Sequence, residues 1–168
     1  MKIHKPIFLI TALLFFSVNA YSFYRCIKPG TASQELKRAA VVFSGKVIEK
    51  EYLKITDPSD NDFGGERLTI KIKVDKLWKG SIDNEIVLHT SEVKFPNGIT
   101  SFMSEDFSFA SGESYLIYAF YYKNAFRTNG CTRTKLLSEA EEDLKELGEG
   151  YLPKKLPLKN KSQMPAMF

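Results

Sequence analysis

The sequence predicts a mainly β, single-domain protein made for export, with a short helix before the strands and another after them. Three observations predict it. A basic start, an apolar stretch and then small residues open the chain as a secretory signal does. Runs of β-branched and aromatic residues, punctuated by Gly, Pro and Asn, fill the middle. The chain's two cysteines both lie beyond the signal, where an oxidising compartment favours joining them.

The signal is expected at residues 1–20. Lys2, His4 and Lys5 form the basic part, and Ile7–Phe16 is an apolar run too short to span a bilayer. Val18-Asn19-Ala20 offers small residues where a signal peptidase reads, and Ala20-Tyr21-Ser22 offers a second frame. Cleavage leaves one domain's length of chain, expected at 21–149, followed by a flexible Pro- and Lys-rich tail at 150–168. It also removes two of the 24 Lys and Arg residues and no acid, so 22 basic side chains face 20 acidic ones. The signs are mixed along the chain, without the basic stripe that a nucleic-acid binder carries. No nucleic acid is expected as partner, and no transmembrane segment once the signal is gone. The expected location is periplasmic or extracellular.

Cys26 and Cys131 are expected to form a structural disulfide. Two thiols or two metal ligands are the competing states. Zinc needs about four ligands, and His89 is the one histidine beyond the signal.

The elements follow in order. After the turn at Pro29-Gly30, Thr31–Ala40 predicts a short helix, with Thr31 and Gln34 placed as a capping box. Val41–Ile48 predicts a strand bent at Gly45. Thr56–Gly65 is a polar loop whose acids fail the calcium-loop pattern, because Lys71 falls where the last acid belongs. In Leu68–Leu77, Leu68, Ile70, Ile72 and Val74 alternate with Thr69, Lys71, Lys73 and Asp75, a strand with one wet face. Its lysines read as solvating the sheet. Trp78-Lys79-Gly80 turns the chain into a return strand at Glu85–Thr90, and Pro96-Asn97-Gly98 turns it again. Glu105-Asp106 reads as surface loop. Tyr115–Tyr122 is a nearly continuous apolar run, predicting a central strand, and Ala125–Cys131 continues extended to the second cysteine. Ser138 and Glu141 suggest a second capping box, opening a helix that Gly148 stops. Leu137, Ala140, Leu144 and Leu147 share one face of it.

Chemistry has little to start from. His89 sits alone in a strand pattern, with no nucleophile elbow or cysteine partner in sequence. Phosphate-binding glycine loops and metal-ligand spacings are missing from the sequence. No enzyme activity and no cofactor are expected.

Four stretches carry a resemblance: residues 38–47 (RAAVVFSGKV), 74–80 (VDKLWKG), 109–119 (FASGESYLIYA) and 128–147 (TNGCTRTKLLSEAEEDLKEL). Their order and spacing from Cys26 to Leu147 resemble bacterial exported proteins grouped with the tissue inhibitors of metalloproteinases, in the netrin-like set. The resemblance implies an OB-type fold, a closed five- or six-stranded antiparallel barrel with helices at one end. It also implies a protein partner, a secreted metalloprotease among the candidates. In the animal inhibitors a first-residue cysteine, in a Cys-x-Cys pattern, chelates the target's zinc through its amino group and carbonyl. Here Tyr24-Arg25-Cys26 has one cysteine, and either cleavage frame leaves residues ahead of it. Cys26 therefore matches the disulfide partner of Cys131 and not the chelator. The expected function is an exported, non-enzymatic binding module, with Tyr21, Ser22, Phe23, Tyr24 and Arg25 as candidate partner-binding residues. The alternative is a structural, envelope-associated interaction protein.

Overall fold

The computed structural model describes Cys26 and residues 29–154. The signal expected at 1–20, the candidate segment Tyr21–Arg25 and residues 155–168 of the tail expected at 150–168 lie outside the described residues. Helix α1 (Ala32–Arg38) leads into β1 (Val41–Lys54), β2 (Glu66–Lys79) and β3 (Glu85–Lys94). The short β4 (Thr100–Ser101), β5 (Ser114–Tyr122), β6 (Ala125–Arg127) and β7 (Lys135–Leu136) follow. A single 3₁₀ turn (Leu137–Glu139) then precedes α2 (Glu141–Leu147).

Five strands close on themselves in the order β1-β2-β3-β6-β5-β1, with β4 added to β3 and β7 to β5. Four of the five seams are antiparallel. The fifth, between β3 and β6 at Leu88 and Phe126, is parallel. The wholly antiparallel sheet expected from the sequence is corrected here, and the reason is parity. Strand direction cannot alternate around a ring with an odd number of members, so one seam must be parallel. The tight turn at Lys123 and Asn124 (φ +46° and +58°) makes β6 antiparallel to β5 and thereby sets where that seam falls.

The ring makes two cores. Inside it, Val41, Phe43 and Val47 of β1 pack with Ile70, Ile72 and Val74 of β2, Ile86 and Leu88 of β3, and Tyr115, Ile117 and Ala119 of β5. Outside it, Val42, Leu116 and Tyr118 are covered by Ala140 with Leu137, Leu144 and Leu147. Strand β5 is apolar without alternation because it is buried on both faces. The β2 pattern holds, except that Thr69 is buried on the outer face, its hydroxyl donating to the Glu51 carbonyl at 2.9 Å. Lys71 sits 3.7 Å from Glu49 and 3.3 Å from Glu85, one cation in a mixed-sign surface.

Strand β1 must bend to serve two neighbours, and its register against β2 shifts between Ser44 and Gly45. A Cβ on Gly45 would lie 2.6 Å from the Lys73 carbonyl oxygen. Helix α1 starts as expected: Thr31 Oγ1 accepts the Gln34 N–H and the Gln34 side chain accepts the Thr31 N–H. The second capping box, expected at Ser138 and Glu141, does not form. Ala140 occupies the cap without a side-chain bond, and α2 begins at Glu141. Packing decides the start, because Leu137 and Ala140 both turn onto the outer core before the helix can begin. Gly148 ends α2 at φ +71°, as its position suggests. Beyond it, Tyr151 pairs with Leu77 through two 2.8 Å backbone hydrogen bonds.

Asp143, in the first turn of α2, is buried and accepts from four donors. Arg133 contributes Nε at 2.8 Å and Nη2 at 2.5 Å, Lys135 Nζ lies at 2.9 Å, and the Tyr118 hydroxyl at 3.0 Å. Arg133 also donates to the Gly30 carbonyl at 2.8 Å, bringing the start of the domain into the same knot. Burial would raise the Asp143 carboxyl; the donors from Arg133, Lys135 and Tyr118 outweigh it and hold the group at about 2. Glu146, one turn on, accepts the Ala32 and Ser33 N–H groups at 3.1 and 2.9 Å and so caps α1 from α2.

Two outcomes follow. Asp143→Ala strands two cations beside a buried phenol and is expected to cost roughly 3–5 kcal/mol in urea unfolding. In the parent, the folded pKa lies below the unfolded one, so this stabilisation is complete above pH ~4 and fades towards pH ~2. An acid limb equally deep in Asp143→Ala contradicts the assignment. Gly45→Ala drives a methyl into the β2 backbone and is expected to cost roughly 1–3 kcal/mol by the same measurement.

Candidate functional site

The ring's pleat sorts side chains between inside and outside. Leu88 and Phe126 oppose each other across the parallel seam and pack inward, so His89 and Arg127, the next residues on each strand, point outward. Arg127 opposes Phe120 on β5, which places Phe120 and then Tyr122 on that outer face as well. Helix α2 covers the outer face only over Leu116 and Tyr118. Past its edge these side chains line a cleft of about 470 Å³, with His89, Ser91 and Arg127 on its floor. Met103, Glu105 and Asp106 wall one side, and Thr128, Asn129 and Cys131 the other.

Both walls are held in place. The segment 102–109 is anchored below by Phe107 and Phe109, whose rings stack edge-on against Tyr115 at 5.6 and 4.9 Å and close the end of the inner core. It is anchored above by Ser91, whose hydroxyl donates to Asp106 and accepts the Met103 N–H at 2.8 Å. Asp106 bridges to Asn129, and the Gly130 N–H reaches the Glu105 carbonyl at 2.6 Å. Glu105-Asp106, read as surface loop from sequence, thus joins the two walls. The far wall rests on threonines. Thr128 donates to the Tyr118 carbonyl at 3.0 Å and lies 2.7 Å from Thr134, which in turn accepts the Tyr118 N–H at 3.0 Å.

Cys26 and Cys131 are bonded, with 5.1 Å between their Cα atoms and 105 residues in the loop they close. The bridge brings the front of the domain to the rim of the cleft. Tyr21–Arg25 directly precede Cys26 in sequence and lie outside the described residues.

The chemistry of the cleft is unusual in one residue. Two arginines stand on this side of the ring. Arg67 is neutralised by Asp60 at 2.9 Å and Asp62 at 2.7 Å. The Arg127 side chain makes no hydrogen bond and no ion pair among the described residues; its buried Nε–H lacks an acceptor, as does that of Arg67. Its guanidinium carbon lies 5.5 Å from the Tyr122 ring centre, a cation–π approach. Burial, and then Arg67, push its pKa below the usual arginine value. His89 is lowered too, first by burial and then by Arg127 and Arg67, so the imidazole is neutral at pH 7. No hydrogen bond joins His89 to Ser91 among the described residues, and the Ser91 hydroxyl is committed to Asp106 and Met103. His89 and Ser91 are therefore not paired with each other.

The rim is apolar: Met103 is 65% exposed and Tyr122 52%, and Phe102, 69% exposed, stands beside Met103. Met103 and Asp106 also line a second cavity of about 250 Å³ at the mouth of the ring, between Lys50, Ile70 and Phe109. Among the described residues, no group of three His, Cys, Asp or Glu is placed to hold a metal, and no helix is long and apolar enough to cross a membrane. Of the residues singled out in sequence, the structure brings His89, Glu105, Asp106 and Cys131 to one cleft. Arg127, Tyr122, Phe120 and Met103 had no motif to mark them. The nearest signal was three consecutive aromatic residues, Phe120–Tyr122, at the end of a strand already apolar on both faces. No protein-family model matches the chain, and no curated protein matches it.

The lowered His89 pKa sets a direction for stability. The unfolded imidazole takes up a proton first as pH falls through about 6.5, so the folded state loses stability between pH ~7 and ~5. Replacing His89 by Gln is expected to flatten that part of the urea-midpoint curve and to leave the limb below pH ~4 in place. A parent curve already flat from pH ~7 to ~5 would remove the claim.

Proposed function

We propose that the chain is an exported, non-enzymatic binding module of OB type, and that its partner is a protein held at the cleft between β3, β6 and β5. The observation that carries this reading is the rim. Met103 and Tyr122 stand in solvent at the cleft, and Phe102 stands in solvent next to Met103 at the neighbouring cavity, on a wall whose backbone is pinned. Aromatic residues, methionine and arginine are the types that protein interfaces favour, and apolar side chains gathered around a depression mark such surfaces. A pinned wall loses little conformational freedom on docking, which favours affinity.

Three further points support it. The strand order 1-2-3-6-5-1, with helices packed on one side, suits a small closed Greek-key sheet of OB type. The disulfide suits an oxidising compartment, in line with the signal expected at 1–20. The serine of the cleft is spent on its wall, which favours recognition over turnover. The resemblance to the tissue inhibitors of metalloproteinases makes a secreted zinc protease one candidate partner. The residues ahead of Cys26 disfavour the inhibitors' own chelating mechanism, so contact through the cleft rim is the form of inhibition proposed.

The test pairs the protein with a variant carrying Phe102→Ser and Tyr122→Ser, both at exposed positions. Cross-linking in the exported fraction is expected to yield a defined protein adduct with the parent and about tenfold less with the variant, the loss of roughly one good contact. Equal adducts, or none from the parent, refute the cleft as the contact surface. Titration against secreted zinc proteases decides the inhibitor form, which fails if none is slowed at tens of micromolar.

A further inference from the structure

We infer that Arg127 is a carboxylate-binding residue: the cleft takes a carboxylate of the partner, with an adjoining apolar side chain against Phe120, Tyr122 and Met103. This deepens the proposed reading of the cleft as a protein contact and rests on it for the identity of the ligand as peptide.

Four observations converge. The first is the contrast between the two arginines of this face. Arg67 is matched by two aspartates, whereas Arg127, also half withdrawn from water, is matched by none among the described residues. A desolvated guanidinium left without an anion is uncommon, because withdrawing a charge from water is unfavourable unless something replaces the water. The second is geometry. Arg127 sits on the floor of a cleft of about 470 Å³ and leans on the Tyr122 ring, which restricts its planar fork to one orientation.

The third is the donor set. Asn129 uses its amide oxygen to accept the Cys131 N–H at 3.0 Å, so its NH₂ is the part left for a ligand. With His89 neutral, the cleft offers one formal positive charge and two neutral donors. Glu105 and Asp106 line the opposite wall. With those two acids the lining is net negative, so an anion is held here only by direct pairing with Arg127, and one charge is the most that pairing matches. A phosphate dianion would meet too little positive charge and two repelling carboxylates. The fourth is the company of the guanidinium. Phe120, Tyr122 and Met103 present apolar surface beside it, and Glu105 can accept an N–H from a peptide backbone. A carboxylate flanked by an amide and an apolar side chain is the chemistry of a peptide, either at its C-terminus or at an acidic residue. Planar carboxylates pair with guanidinium through two parallel hydrogen bonds, a match that Lys would not reproduce.

The test uses the full protein and three peptides followed by ¹H–¹⁵N NMR at the Arg127 Nε–H and the Asn129 side-chain amide. Acetyl-Ala-Phe with a free C-terminus carries an α-carboxylate, and acetyl-Asp-Phe-amide carries a side-chain carboxylate. Acetyl-Asn-Phe-amide carries neither. At least one charged peptide is expected to bind about tenfold or more tighter than the neutral one, and which one does so identifies the source. That preference is expected to vanish in Arg127→Gln and to be weakened in Arg127→Lys. Equal binding of the neutral peptide overturns the proposal, as does an undiminished preference in Arg127→Gln. Inorganic phosphate binding more tightly than either carboxylate overturns it too. The Arg127 side chain makes no hydrogen bond among the described residues whose loss would unfold the chain, and the charged-against-neutral comparison in the parent protein stands without any variant. Peptide binding alongside a failed cross-link to a protein leaves the carboxylate site standing and removes only the macromolecular partner.

Discussion

Asp143 is a carboxylate shut away from water, and its position constrains most of what surrounds it. A buried charge is tolerated only where donors replace its hydration, so the chain must deliver Arg133, Lys135 and the Tyr118 hydroxyl to one point. Those groups come from β5, from the segment after β6 and from β7, and Arg133 passes the constraint on to Gly30 ahead of α1. Helix α2 is too short to be stable alone. It is held by this knot, by its apolar face on Leu116 and Tyr118, and by Glu146 capping α1. The two helices and the segment 128–134 are thereby fixed to the ring as one unit.

The cleft follows from where that unit stops. The ring's outer face is apolar along β5, and α2 covers only its first part. Phe120 and Tyr122 continue the same row past the helix, next to the one parallel seam, where β3 and β6 meet by a single residue pair. That seam gives little backbone pairing to fill the space above it. Segments 102–109 and 128–131 border it as walls, tied to each other through Asp106, Asn129 and Gly130. The disulfide adds a covalent limit at the same rim. Closing a loop of 105 residues stabilises the fold by roughly 4–5 kcal/mol on chain-entropy grounds, and it tethers the start of the domain there.

How much of this was legible depended on range. Helix α1, with its Thr31–Gln34 cap, depends on neighbours in sequence and was readable. So were the alternation in β2, the bend at Gly45 and the stop at Gly148. The disulfide was readable because two cysteines leave one pairing. The parallel seam was not, since it follows from counting strands around a ring that local pattern does not show to be closed. The start of α2 was misread for a related reason. Ser138 and Glu141 have capping chemistry, but the outer core needs Leu137 and Ala140 in a 3₁₀ turn, and packing overrides a cap worth about 1 kcal/mol. Arg127 was invisible because its distinguishing property is a missing partner. A guanidinium beside Phe126 reads like any surface arginine until the fold shows Arg67 ion-paired with two aspartates and Arg127 with no acid among the described residues.

The same accounting of partners describes the polar groups of the cleft. A serine and a histidine on one strand, with an aspartate on the neighbouring wall, invite a catalytic reading. Yet hydrogen-bonding capacity is finite, and each group here is disposed differently. The Ser91 hydroxyl donates to Asp106 and accepts from Met103, holding a wall in place. Asp106 accepts from Ser91 and does not orient His89. His89 is kept neutral by burial and by two arginines. What remains without a polar partner among the described residues is the Arg127 guanidinium, the Asn129 NH₂ and the Glu105 carboxylate, beside the apolar surfaces of Phe120, Tyr122 and Met103.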